Sequence, residues 1–351
     1  MASKEILNTQ WLLAKRPVNR SVEKNDFVLN QATVPDLQTG QFLIKVMYLS
    51  LAPVMRFYML DGASIEKPLD IGEVMRGRGV GIIIKSRNRQ YSVGDVVHGK
   101  MGWQEYSIAD GSSYFLMFKV GQRSVPFSTA LGVLGLTGFT AYFGLLDIGR
   151  PKASDTVLVS GAAGRVGSSV GQIAKILGCR TVGIAGTAMK CNILTADLGY
   201  DAAINYREHN LDEKIAEFCP NGVDIYFDNV GGEVLDAGLA HINPYARVVS
   251  CGQISQYIGG SSPKPLFNAH KIGRLNATMQ GFLIYDYQSR FDEAEIRMTA
   301  WVKAGQLKYK EDILRGIEAM PEALIRLYDG LNAGKQLVEV NPNTDIACSN
   351  L

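Results

Sequence analysis

Cysteine is scarce in this chain and absent from its first 178 residues. The five cysteines among 351 residues are Cys179, Cys191, Cys219, Cys251 and Cys348, with no Cys-x-x-Cys pair. That pattern argues against a disulfide framework and against a structural zinc knuckle. Histidine is as thin: of four, only His98 precedes residue 209. No apolar run approaches the roughly 18 residues that cross a bilayer. Charge of either sign is not in excess: 36 Lys and Arg face 34 Asp and Glu, a net of +2. Nothing in that balance favours nucleic acid or a membrane surface as partner. The start of the chain, Met1 to Trp11, carries charge early and has no apolar leader core, so a cytoplasmic location is expected.

What is present is glycine placed with purpose. The β-branched run Val157–Val159 leads through Ser160 to Gly161, Gly164 and Gly167, and an apolar helical pattern follows through Ile173 and Ile176 to Gly178. Strand, glycine turn and helix in that order suit a pyrophosphate. The glycines allow a tight turn and close approach, and the N–H groups of the helix start point at the anion. An ordinary glycine-rich turn would look similar locally, so the flanking elements decide.

Those flanks alternate. Strands are expected at Thr156–Ser160, Thr181–Ala185, Ala202–Ile204, Val223–Phe227 and Arg247–Cys251, with a helix between each and the next, then a further strand over Ala277–Leu283 and a charged helix Arg290–Lys303. Such alternation predicts a parallel sheet covered on both faces. Before Ser128 the rhythm is different. Short apolar runs such as Phe42–Val46 and Val80–Ile84, broken at Gly40, Gly94 and Gly99, predict a β-rich domain of mostly antiparallel strands. The tail strand Leu337–Val340 should return to it. The expected organisation is α/β: a doubly wound Rossmann domain over 129–309, and a discontinuous β-rich domain from 1–128 and 310–351.

The second strand ends Val182 to Thr187 with no acid. An acid there would bind the 2′-hydroxyl of NAD and repel a 2′-phosphate, so its absence favours NADP. Lys190, one turn further, can supply a countercharge, and Tyr206 and Arg207 follow the next strand. Read singly, Lys190 could equally be a solvated helix lysine and Tyr206 a packed loop aromatic. The Asn229–Gly232 and Cys251-Gly252 loops, at strand ends, also permit close approach of a ring or ribose.

Together these segments resemble the zinc-independent branch of the medium-chain dehydrogenase/reductase superfamily, in particular its NADPH-dependent double-bond reductases. The likeness is carried by Tyr48 to Arg56, Gly138 to Leu145, VSGAAGRVGSSVGQIAK (159–175), GCRTVGIAGTAMKC (178–191), DIYFDNVGGEVLD (224–236), CGQISQY (251–257), MQGFLIYDY (279–287) and GLNAGKQLVEV (330–340). The resemblance implies a GroES-like catalytic domain beside the Rossmann domain and, usually, a homodimer. It implies that the turn from Gly161 through Gly164 to Arg165, Val166 and Gly167 holds the pyrophosphate. Gly186, Lys190 and Tyr206 would hold the 2′-phosphate, and Asn229, Cys251 and Asn332 the ribose and nicotinamide. Tyr257 would stand near the substrate oxygen, and Tyr48, Tyr58, Phe282 and Tyr285 would wall the substrate pocket. Core packing is an alternative for each wall residue, and simple packing over the cofactor for Tyr257.

Two positions depart from the family pattern. Val54 replaces a tyrosine of the substrate pocket, and Thr137 adds a hydroxyl where relatives carry proline. Metal is not implied: Glu73 stands where a zinc alcohol dehydrogenase wants a histidine, and His98 alone cannot build the site. The activity implied is reduction of the C=C bond of α,β-unsaturated aldehydes or ketones by NADPH. Hydride reaches the β-carbon, and a neutral Tyr257 or water serves the developing enolate. A quinone oxidoreductase and a catalytically idle NADPH-binding protein remain open beside it.

Overall fold

The computed structural model describes residues 5–61, 67–112, 114–121, 124–253, 255 and 265–341. The chain divides into two compact units, one of residues 1–131 with 309–351 and one of residues 132–308.

The first unit opens with a hairpin of β1 (Leu7–Leu13) and β2 (Phe27–Thr33). Its main sheet is built on β3 (Phe42–Ser50), whose sequence FLIKVMYLS is almost wholly apolar and largely buried. A strand covered on both faces reads in this way rather than as simple alternation. Beyond the short helix α1 (Met55–Met59), β4 (Arg78–Ser86) pairs antiparallel with β3 and with β5 (Val96–Lys100). The strand β6 (Tyr106–Ala109) joins the first half of β3, and β7 (Phe118–Lys119) joins β5. Two late strands finish the sheet: Lys335–Glu339 runs antiparallel to the end of β3, and Glu311–Arg315 lies parallel to Lys335–Glu339. Trp11, Phe42, Ile44, Leu49 and Trp103 are among its core residues. The Trp11 indole N–H is spent on the Ile317 carbonyl at 2.8 Å, so a buried donor costs nothing.

The second unit is a six-stranded parallel sheet. Its strands are β8 (Thr156–Val159), β9 (Arg180–Ala185), β10 (Ala202–Asn205), β11 (Val223–Asp228), β12 (Ile242–Ser250) and β13 (Thr278–Gly281), in spatial order β10-β9-β8-β11-β12-β13. The order runs outward from β8 in both directions, so the carboxyl ends of β8 and β11 flank a reversal point, where doubly wound sheets bind ligands. Helices α2 (Leu136–Phe143), α3 (Arg165–Ile176), α4 (Ala188–Asn192), α5 (Leu211–Phe218) and α6 (Gly232–Ala240) connect or cover the strands. The α2 helix runs on into a π-helical segment, Gly144–Gly149. The start of β12 differs from the sequence expectation by five residues, at Ile242 rather than Arg247. Pro244 cannot donate to a ladder, and pairing with β11 jumps from Val223↔Ile242 to Ile225↔Arg247.

Candidate nucleotide site

In the second unit the sequence-predicted turn lies at the reversal point. Gly161 adopts φ +57°, a left-handed conformation that favours glycine. Gly167 has no room for more: a Cβ there would sit 2.6 Å from the Gly161 carbonyl oxygen and 2.7 Å from Ala162 Cα. Helix α3 therefore packs directly on the turn. Gly164 is its N-cap, and no side chain caps it, so no side chain takes the backbone donors of its first turn (Arg165, Val166, Gly167), the kind of helix start that suits an anion. Burial lowers the pKa of the Arg165 guanidinium.

At the end of β9, Ala185 pairs in register with Asn205 of β10. Gly186 follows; a Cβ on it would stand 3.1 Å from the Tyr206 ring. Thr187 caps α4 by accepting the Lys190 N–H at 3.2 Å, which puts Lys190 in the first turn of that helix. Lys190 is exposed and Tyr206 is 41% exposed. The Arg207 guanidinium lies 5.8 Å from the Tyr206 ring centre. Asn205 is 5% exposed; its Oδ1 accepts the Arg207 N–H at 3.2 Å, while its Nδ2 is buried with no hydrogen-bond partner among the described residues. No acid ends β9. A glycine turn with no room for a side chain at Gly167, a helix start that no side chain caps, an orphaned amide and a lysine fit a phosphorylated dinucleotide.

In the third part of the expected site, the sequence points to the Asn229 and Cys251 loops but not to the acid between them. Asp228, at the end of β11, is fully buried. Its Oδ1 accepts the Ser160 hydroxyl at 2.6 Å and the Val230 N–H at 3.2 Å, and its Oδ2 accepts the Gly231 N–H at 3.0 Å. Burial pushes its carboxyl above the ordinary value, and these donors work against that rise. The Asn229 N–H donates to Ser160 Oγ, and its Nδ2 to the Ser160 carbonyl, both at 2.8 Å. The Asp228 carbonyl accepts the N–H of Cys251 at 2.9 Å. Burial and the Asp228 charge push the Cys251 thiol up to about 12. The signal available in sequence was an acid ending an apolar strand, three residues ahead of the Gly231 helix cap.

The remaining expected residues fall in both units. Tyr48, in the first, donates to Glu339 Oε1 at 3.3 Å, and burial beside that carboxylate raises its phenol to about 12. Tyr58 packs on the core of the first unit with the Arg76 guanidinium 5.6 Å from its ring, and Val54 directly precedes α1. Asn332, also in the first unit, donates to the Gly334 carbonyl at 2.6 Å. In the second unit Phe282 meets Tyr287 edge-on, and its ring lies 2.7 Å from where a Gly144 Cβ would stand. Tyr285 is 42% exposed. The Thr137 hydroxyl is occupied by the Gly132 carbonyl at 2.9 Å. Tyr257 lies outside the described residues. No group of three or more His, Cys, Asp or Glu among the described residues is arranged to hold a metal ion.

Comparison with known proteins places this geometry. Residues 9–117 match a family model described as the N-terminal domain of oxidoreductase, and residues 166–301 one described as zinc-binding dehydrogenase. The NADPH-dependent curcumin reductase of Escherichia coli (strain K12) is 41% identical over 346 residues, 97% of this chain and 99% of that protein. The 2-alkenal reductase (NADP(+)-dependent) of Nicotiana tabacum is 37% identical over 346 residues, again 97% and 99%. The crystal structure of CurA from Vibrio vulnificus in complex with NADPH superposes with a TM-score of 0.79 at 41% identity, covering 95% of this chain and 99% of that one. The chain belongs to the medium-chain dehydrogenase/reductase family.

Proposed function

We propose that this protein reduces the C=C bond of α,β-unsaturated aldehydes and ketones with NADPH. The observation that carries the reading is the pairing of the β8–α3 glycine cradle with a β9 end that presents Lys190 and no acid. Its similarity to curcumin and alkenal reductases supports the choice of substrate class. When bound, NADPH supplies the hydride that reaches the β-carbon.

The chain's own residues do the rest. Gly161, Gly164, Arg165, Val166 and Gly167 hold the pyrophosphate by backbone approach. Gly186, Lys190 and Tyr206 hold the 2′-phosphate, and Asn229, Cys251 and Asn332 orient the ribose and nicotinamide. Tyr257 donates a hydrogen bond to the substrate carbonyl oxygen, where negative charge develops, and Tyr257 or water delivers the α-carbon proton. Tyr48, Val54, Tyr58, Phe282 and Tyr285 wall the substrate. The 1–128 with 310–351 and 129–309 segments act as catalytic and nucleotide domains.

The proposal extends to a cytoplasmic homodimer. Cys179, Cys191, Cys219 and Cys251 are free thiols, which suits a reducing compartment. Among the described residues β13 is an edge strand, and Leu283, just beyond its end, is 66% exposed, as a face covered by a second copy would be.

The test is product analysis. Incubated with NADPH and an enone, the protein should deplete absorbance at about 340 nm and yield the saturated carbonyl. An allylic alcohol as product would overturn the regiochemistry. Turnover of quinones alone would replace the reading with a quinone reductase, and tight NADPH binding without any turnover would make it a binding protein.

A further inference from the structure

The expected nucleotide contacts on the β8–β11 side share one support that the proposed mechanism does not use. Ser160 leads into the Gly161 turn, Asn229 opens the next loop, and Cys251 ends the strand beyond. All three bond to Asp228 or to each other through it. The Asn229 N–H donates to Ser160 Oγ, and the Ser160 hydroxyl donates onward to Asp228 Oδ1, at 2.8 and 2.6 Å. Such a chain polarises in one direction and fixes the hydroxyl hydrogen. The carboxylate also gathers the Val230 N–H on Oδ1 at 3.2 Å and the Gly231 N–H on Oδ2 at 3.0 Å, just ahead of α6. The nearby Tyr226 hydroxyl, 3.3 Å from Oδ1, lies closer to the Val234 carbonyl at 2.9 Å and donates there. The Asp228 carbonyl meanwhile takes the N–H of Cys251 at 2.9 Å and of Gly252 at 3.2 Å.

Both carboxylate oxygens thus face donors, and none of those donors is a cation. A neutral core would need no such group: a buried carboxylate is costly unless every lone pair it turns inward is met. Here the residues that meet it are those on which the cofactor half-site hangs. We infer that Asp228 is a positioning residue, which ties the Ser160–Gly161 turn to the Asn229–Gly232 loop and so sets the spacing of the site for the pyrophosphate and nicotinamide. The inference rests on the NADPH reading above and adds a residue to it. Asp228 touches no part of the cofactor; it acts through Ser160, Asn229 and the 230–231 backbone. Because those contacts serve the half common to NADPH and NADH, its effect is blind to the 2′-phosphate.

Asp228→Asn is the direct test, since the amide keeps the shape but puts an NH₂ group against a donor, the Gly231 N–H or the Ser160 hydroxyl. Binding of NADPH and of NADH is read by cofactor fluorescence, alongside the unfolding midpoint and the enone KM at saturating cofactor. The expected result is a tenfold or greater weakening of both cofactors by the same factor, with the enone KM held within twofold. Weakening of NADPH alone, an enone KM that moves in step, or binding within twofold of wild type would each overturn the inference. Should Asp228→Asn not fold, Ser160→Ala decides: it removes the 2.6 Å bond and leaves the carboxylate to Val230 and Gly231. Equal weakening of both cofactors by about threefold supports the inference, and unchanged binding overturns it. If the wild type binds neither cofactor, it is the NADPH reading that fails.

Discussion

The two ends of the nucleotide crevice in the parallel-sheet unit are built in opposite ways. At the β8–β11 end, Ser160 and Asp228 are fully buried and tied to one another and to Asn229, Val230 and Gly231. At the β9–β10 end, Lys190 is exposed, Tyr206 nearly half so, and the helix that carries Lys190 is five residues long with no buried residue. The difference follows from what each end must do. Orienting a ring needs fixed distances, which buried and fully partnered groups provide. Recognising an extra phosphate needs charge, and a lysine left in water keeps its charge without a desolvation cost. On the function proposed above, geometry belongs to the buried end and charge selectivity to the wet one.

That contrast can be broken, and the heaviest blow falls on the buried end. Gly167→Ala forces a methyl against the Gly161 carbonyl and Ala162 Cα, both backbone atoms that cannot step aside. It should lower stability by about 3 kcal/mol, at the upper end of overpacking costs, and abolish NADPH binding. Urea unfolding and cofactor fluorescence measure the two losses, and a variant as stable as wild type would show the turn to be slack. The wet end is tested by Lys190→Ala. NADPH should bind about tenfold more weakly, roughly 1.4 kcal/mol, with NADH unaffected, and raising the salt should shrink the gap because exposed charge is screened. Equal effects on the two cofactors would remove Lys190 from the phosphate site.

The smallest effect concerns Cys251. An ordinary thiol ionises near pH 9 and reacts with iodoacetamide as the pH rises from 8 to 10. With its pKa pushed up to about 12 by burial and Asp228, Cys251 keeps its proton across that range, so its labelling should lag behind that of Cys191, which is likewise partly exposed and whose thiol burial also raises. The thiolate is the reactive form. Peptide mass spectrometry at each pH separates the two, and labelling of Cys251 at the rate of Cys191 would contradict the raised thiol.

The same contrast explains what could be read in advance. The glycine turn, the missing acid and Lys190 are local: each states its role within a dozen residues, through backbone freedom or charge. The parallel sheet followed from the alternation, because parallel strands need crossover helices; the order of its strands did not. Asp228 was not legible because its meaning depends on Ser160, 68 positions earlier, arriving beside it. Only the assembled sheet makes an acid after YF into a hub rather than the start of a turn. The early start of β12 was hidden by Pro244, which reads as a strand breaker yet sits at an irregularity the strand tolerates. Tyr48 illustrates a third limit: its bond to Glu339 depends on a partner 291 positions away, which no local pattern announces.

That distant pairing has a consequence for biosynthesis. Ser50 of β3 finds Leu337 opposite it only after all the residues between them have been made. At ~5–20 residues per second, a ribosome leaves roughly 15 to 60 seconds between the emergence of the two. Throughout that interval the nascent β3 edge is bare along its last residues, and it is the stretch a chaperone would have to shelter. The six parallel strands, complete by Gly281, face no such wait.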